Sequence, residues 1–200
     1  MSRGALAWIV PVVAAVTVIP GVATAAPLGP STIAELSTPV RAVVGAGLVL
    51  AFGAFILRFR EGLVDQSMEA SLESVPHSTF YGLAVHFVLV FAGVYIVSQI
   101  SRLVGGAGPV VFAITGVGLL IAAGLGFTVV GTILTEQLWD ERPWLGLGVG
   151  TALAGIVLIA LPLIPGVGAW ILIASVGIGG SARNWFHASH TEVGEIGERA

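Results

Sequence analysis

The 200-residue chain has no cysteine and no lysine, and only 10% of its residues are charged. Without cysteine there are no disulfides, no thiol nucleophile and no cysteine-ligated iron–sulfur centre. Structural zinc wants four ligands, and His187 and His190, spaced by three in Phe-His-Ala-Ser-His, supply only two imidazoles. They are read as part of a polar tail with an interfacial Trp185-Phe186 anchor. A net charge of −3 offers no basic surface, so nucleic acid is not an expected partner. What the chain has in quantity is apolar sequence: 56% hydrophobic residues and a mean hydropathy of +1.01. A water-soluble fold of this size could not hide that much in one core. The expected fold class is therefore all-α, a polytopic membrane helix bundle solvated by the lipid bilayer.

The first residues follow the plan of an export signal. Ser2-Arg3 is a short basic start, Leu6 to Ile19 an apolar middle, Pro20-Gly21 a helix breaker, and Ala23-Thr24-Ala25 supplies small residues for a cut before Ala26. Residues 1–25 thus read as a signal peptide, followed by a short external segment, 26–38. The competing reading is an uncleaved first membrane helix, since the apolar run is marginal for a ~30 Å hydrocarbon layer. Arg3 stands alone, against the twin-arginine route.

Five apolar passages follow, with readable ends, and place a membrane domain over 39–183. Thr38 and Pro39 start a first span that ends near Leu57. A second follows Pro76, capped by Ser78 or Thr79, and reaches about Ile100. Gly105-Gly106-Ala107-Gly108 interrupts the pattern and Pro109 opens a third, to about Leu134. The stretch from Trp144 to Ser181 would extend roughly 55 Å as one helix, far beyond a ~30 Å core, so it folds back. Pro162, Pro165 and Gly166 mark the hairpin turn, between Trp144 to Leu161 and Val167 to Ser181. The second arm, roughly 22 Å, is short for a full crossing, so the hairpin is either partly re-entrant or held in thinned lipid.

The basic residues test this threading independently. Arg58, Arg60, Arg142, Arg183 and Arg199 fall on one side, Arg41 and Arg102 on the other. The positive-inside bias then puts the 59–76 loop, the Thr135 to Pro143 loop and the tail, 184–200, in the cytoplasm, and the mature N-terminus outside a cell membrane. Acidic residues gather on that same face. Glu61, Asp65, Glu69 and Glu73 are spaced by four and form one helical stripe, with Val64, Met68, Leu72 and Val75 as another. An amphipathic helix at the membrane surface follows, its carboxylates a solvated face or a partner-binding site. Repulsion between them points to a high-salt, halophile-like cytosol.

Polar groups inside the spans are few. His86 is the only ionisable group more than a turn inside, and it is expected to sit hydrogen-bonded between helices. Ser98, Gln99, Thr115, Thr128 and Thr132 bond to neighbours or to their own backbone. No nucleophile and base occur together at the interface, so an enzyme is not expected, and no cofactor is implied. G-x-G patterns at Gly116, Gly118 and Gly146, Gly148 lie inside spans with no preceding strand, so they are not phosphate loops. They read as packing surfaces. Gly118, Ala122 and Gly126 form one ridge of the third span and Gly146, Gly150 and Ala154 one ridge of the fourth, predicting that the two spans meet there, within the bundle or its homo-oligomer.

Phe59-Arg60-Glu61 leading to Val75-Pro76, Gly82 opening a span, Phe127-Thr128-Val129-Val130-Gly131-Thr132, and Leu161 to Gly166 before Gly177-Ile178-Gly179-Gly180 carry a resemblance. Over about Arg41 to Arg183 the pattern resembles the helical membrane domain associated with prokaryotic bactofilins, the polymer-forming cytoskeletal group. The accompanying β-helical segment is absent from this sequence. The resemblance implies a membrane scaffold, an anchor or partner for a cytoskeletal or envelope system, with no catalytic residues. The alternative is a small transporter or channel whose path is lined by the proline-broken final hairpin.

Overall fold

A computed structural model describes residues 37–103, 108–136 and 143–198 of the chain. They form five helices: α1 Thr38–Glu73, α2 Val75–Leu103, α3 Gly108–Glu136, α4 Pro143–Ala160 and α5 Leu163–Glu198. No strand occurs among the described residues. Each helix contains a stretch long and apolar enough to cross a membrane: Thr38–Arg60, Val75–Gln99, Ala113–Glu136, Pro143–Ala160 and Leu163–Phe186. The expected all-α, five-span bundle is the observed one. The signal-peptide reading, the segment before Ser37, the loop bearing Asp140, Glu141 and Arg142, and Arg199 lie outside the described residues.

Three element ends differ from the sequence reading. The apolar part of α1 ends at Arg60, three residues past the expected Leu57, where a φ of −149° and ψ of 51° break the helix before it resumes to Glu73. Phe59 and Arg60 are exposed there, so the chain turns where it leaves the apolar stretch. α2 begins at Val75, with Pro76 in its first turn, where a missing N–H costs nothing. Ser78 and Thr79 are therefore inside the helix rather than caps, and the Ser78 N–H already donates to the Ser74 carbonyl at 2.9 Å.

The third difference concerns α5, which starts at Leu163, ahead of Pro165 and Gly166. The 24-residue span Leu163–Phe186 is longer than the expected arm and long enough for a full crossing. Pro165 sits in the first turn, where proline is tolerated, and the Gly166 N–H donates to the Pro162 carbonyl at 2.8 Å. The turn itself is confined to Leu161 and Pro162, both exposed at one end of the bundle.

Contacts of α4 with α1, α3 with α4 and α2 with α5 fit spans that alternate in direction. Gly155 lies beside Ala42, Gly131 beside Gly146, and Gly82 beside Ser175. Arg58, Arg60, Glu136, Pro143 and Arg183 consequently share one end. Thr38, Arg41 and Pro162 share the other. α3 touches all four remaining helices and carries the most buried of the five spans.

Between apolar helices in lipid, close van der Waals approach supplies much of the association energy, and glycine permits it. Gly124 of α3 lies against Phe52 and Gly53 of α1, Gly126 against Ala174 and Gly177 of α5, and Gly131 against Gly146 and Gly150 of α4. The α4 ridge thus meets α3 at Gly146 and Gly150, and Ala154 is buried beside Ala123 and Phe127. Neither glycine of the α3 ridge meets α4. Gly126 abuts α5, Ala122 is buried, and Gly118 touches only Leu89 of α2. The surface of α3 that receives α4 runs through Phe127, Gly131 and Thr132.

A Cβ at Gly150 would collide with the Phe127 backbone, whereas Gly148, two residues away, faces open space. Gly150→Leu is therefore expected to destabilise the detergent-solubilised bundle by about 3 kcal/mol or more. Gly148→Leu, on the same helix, should shift the unfolding midpoint little. Similar losses for both would contradict this packing.

Candidate functional site

The polar residues that the fold gathers lie mainly along one seam, where residues 61–73 of α1, the start of α2 and the middle of α5 (residues 175–183) converge. Ser67, Ser71, Ser78 and Ser175 are fully buried. The Ser67 hydroxyl donates to the Leu63 carbonyl at 2.5 Å and accepts from Ser181 Oγ. Ser71 Oγ donates to the Val176 carbonyl at 3.0 Å, and Ser78 Oγ makes a longer contact, 3.4 Å, to the Ala70 carbonyl. Glycines make the seam this narrow: Gly180 lies against Ser67 and Ser71, Gly179 against Ser78, and Gly82 against Ser175.

At its inner end stands His86, only 6% exposed. Its Nδ1 is 2.9 Å from the Gly82 carbonyl and 3.2 Å from Ser175 Oγ. A carbonyl only accepts, so Nδ1 carries the hydrogen and Ser175 is a second acceptor for it. In the neutral ring that assignment makes Nε2 the acceptor. Nε2 is buried and has no hydrogen-bond partner. A buried acceptor left so costs about 1–3 kcal/mol. His86 lies one turn beyond Gly82, where α2 meets α5, and three residues before Leu89, where it meets α3.

At its outer end, Glu73 and Arg183 form an ion pair. Glu73 is 65% exposed, so water screens the attraction and the pair contributes at most about 1 kcal/mol. Asp65 and Glu69 are exposed, in line with the expected acidic stripe, and Glu61 directly follows the break. The apolar stripe is placed differently. Val64 is buried and Met68 half-buried, but Leu72 and Val75 are exposed. Small residues face inward in their place, Ser67, Ala70 and Ser71, because glycines on α5 leave no room for leucine.

A second buried set, Thr128, Thr132 and Thr135 on α3, bonds back to the carbonyls of Gly124, Thr128 and Gly131 at 2.6, 2.9 and 3.1 Å. Thr115 does likewise to Val111 at 3.0 Å. These hydroxyls are satisfied within their own helix and offer nothing to a ligand. Among the described residues no three metal-ligating side chains gather. The hairpin prolines lie at the surface of one end rather than along an interior path.

Sequence reasoning found His86 and the acidic stripe but not the serines. Spread over 114 positions from Ser67 to Ser181, they carry no spacing signal, although Ser67 and Ser71 one turn apart beside Ala70 mark a small, polar face. Comparison of the chain with family models, curated proteins and solved structures finds no match. The roles of these residues therefore rest on their geometry.

Because the chain contains no cysteine, the seam can be trapped directly. Ser67→Cys with Ser181→Cys is expected to form a disulfide on mild oxidation in the membrane, read by mass spectrometry. Leu63→Cys with Ser181→Cys should not, since Leu63 is exposed. Equal yields would place residues 61–73 elsewhere.

Proposed function

We propose that the protein is an integral membrane scaffold, a multi-pass anchor in the cell membrane that presents an acidic surface to a partner of a cytoskeletal or cell-envelope system. The observation that carries this reading is the way residues 61–73 are held. Their inner face, Val64, Ser67, Ala70 and Ser71, is buried against the bundle, while the carboxylates of Asp65 and Glu69 point outward. A segment clamped in this way offers its charges in a fixed array, with little ordering entropy to lose when a partner binds. Rim charges of this kind govern association rate and partner choice more than raw affinity.

The end that carries this surface also carries Arg58, Arg60 and Arg183, while Arg41 and Arg102 lie at the other. The positive-inside bias supports a cytoplasmic position for the acidic face and for the end of α5. The partner is then a cytoplasmic protein with a basic docking surface, and the resemblance to bactofilin-associated membrane domains implies one of a cytoskeletal or envelope system.

A photo-crosslinking amino acid at the exposed Gln66, between Asp65 and Glu69, tests this in native membranes. The expected result is capture of one defined cytoplasmic protein, lost in Asp65→Lys/Glu69→Lys, with the unfolding midpoint of the bundle unchanged. Capture indifferent to charge reversal contradicts the proposal. Solute flux through the reconstituted protein, without any such partner, favours a transporter instead.

A further inference from the structure

The scaffold reading uses the end of the bundle that carries Arg183 and leaves the other end, where α1, α3 and α5 begin, without a role. The arginines show what is unusual there. Arg58 and Arg60 are exposed, and Arg183 is paired with Glu73, so each has water or a carboxylate for its charge. Arg41 is half-buried in the first turn of α1, and its Nε–H is buried without an acceptor. Its one hydrogen bond among the described residues runs from Nη2 to Thr38 Oγ1, at 3.2 Å. No carboxylate of the five helices is near it. α2 and α4 carry no acidic residue, and the first on α1, α3 and α5 are Glu61, Glu136 and Glu192, all toward the opposite end. Twenty residues of α1, roughly 30 Å, separate Arg41 from Glu61.

We propose that Arg41 and Thr38 form a binding site for the phosphodiester group of a bilayer phospholipid, in the leaflet at the Pro162 end. A half-buried guanidinium with no countercharge in the protein calls for an anion from outside it. Arg41 stands three residues inside the start of its span, roughly 5 Å, and its side chain turns back toward Thr38 and the headgroup level. A guanidinium presents a planar fork of donors that matches two phosphate oxygens. With Nε enclosed by the protein, its terminal nitrogens carry that contact. Thr38 Oγ1 accepts from Arg41 and so keeps its own hydrogen to donate to phosphate, and Thr38 is exposed to an approaching headgroup.

Depth selects the lipid over a free ion. Inorganic phosphate has the same oxygens, but a phospholipid holds its phosphate at the level where the spans end and at the density of the leaflet. The same end offers apolar surface to its acyl chains, since Val43, Ile114 and Ile164 are all exposed there. A bound headgroup neutralises Arg41 and fixes the depth at which α1 enters the bilayer. The opposite end has no need of such a ligand, because its one half-buried arginine, Arg183, already has Glu73.

Native mass spectrometry of the full chain, released from a mild non-ionic detergent, tests the site with dioleoyl phosphatidylglycerol, dioleoylglycerol and inorganic phosphate as separate probes. The wild-type chain is expected to retain one phosphatidylglycerol, and not the diacylglycerol that has the same acyl chains without the phosphate. Arg41→Gln should lower that occupancy by about tenfold, the loss of one charge-assisted contact, while Arg58→Gln stays at the wild-type level. Arg41→Lys, which keeps the charge and loses the fork, should fall between, and it carries the comparison if circular dichroism shows Arg41→Gln unfolded. Equal phosphatidylglycerol occupancy in the wild type and the Arg41 variants overturns the site. Inorganic phosphate that displaces the lipid at millimolar concentration overturns the choice of occupant. Binding that appears only in Glu35→Gln also overturns the proposal, because Arg41 would then be neutralised by this chain's own carboxylate. None of these readouts involves residues 61–73, so the scaffold proposal stands or falls separately.

Discussion

In a lipid solvent two apolar helices gain nothing by hiding apolar surface from their surroundings, since the surroundings are apolar as well. What remains is the closeness with which backbones meet, and this constraint shapes the bundle. α3 brings three glycines to three neighbours within eight residues: Gly124 to α1, Gly126 to α5 and Gly131 to α4. Each contact is backbone against backbone, so each fixes a helix separation that no rotamer change can relax. Large apolar side chains are sent outward instead, and Phe80, Phe87, Phe91 and Val94 of α2 face the lipid.

The same logic explains why the polar seam lies where it does. Once glycines on α2 and α5 have drawn the helices together, only small side chains fit between them, and serine fits as well as alanine. Near the lipid–water boundary a hydroxyl is also cheap to bury, because a carbonyl lies within reach. The chain leaves the apolar stretch at Arg60, breaks its helix there, and lays residues 61–73 against that small-residue surface. The acidic face points outward as a consequence of the inner face being small. The packing that fixes the bundle thereby also fixes the surface it presents and the imidazole it encloses.

Much of this was legible in the sequence, and the exceptions have physical reasons. Hydropathy and the prolines placed five spans, because lipid demands long apolar helices and proline prefers first turns. Pro165-Gly166 misled as a breaker: proline interrupts a helix interior but is harmless in the first turn, and α5 begins at Leu163. The break at Arg60 had no proline to announce it. Glycine ridges were visible, but every helix carries several, and spacing alone does not say which neighbour each ridge meets. Gly126 pointed to α4 on paper and meets α5 in space. At the candidate site His86 stood out as a lone ionisable group, whereas the serines around it are neighbours only in three dimensions.

Every part of the account requires five helices that each cross the membrane and so place Arg60, Glu73 and Asn184 at one face and Pro162 at the other. Single cysteines at these four positions, introduced one at a time into a chain that has none of its own, can be labelled with a membrane-impermeant maleimide in sealed, right-side-out vesicles. The account predicts that only the cysteine at Pro162 reacts before the vesicles are opened, and that the other three react afterwards. Labelling of Asn184→Cys together with Pro162→Cys from one side would contradict it, because α5 would then not cross.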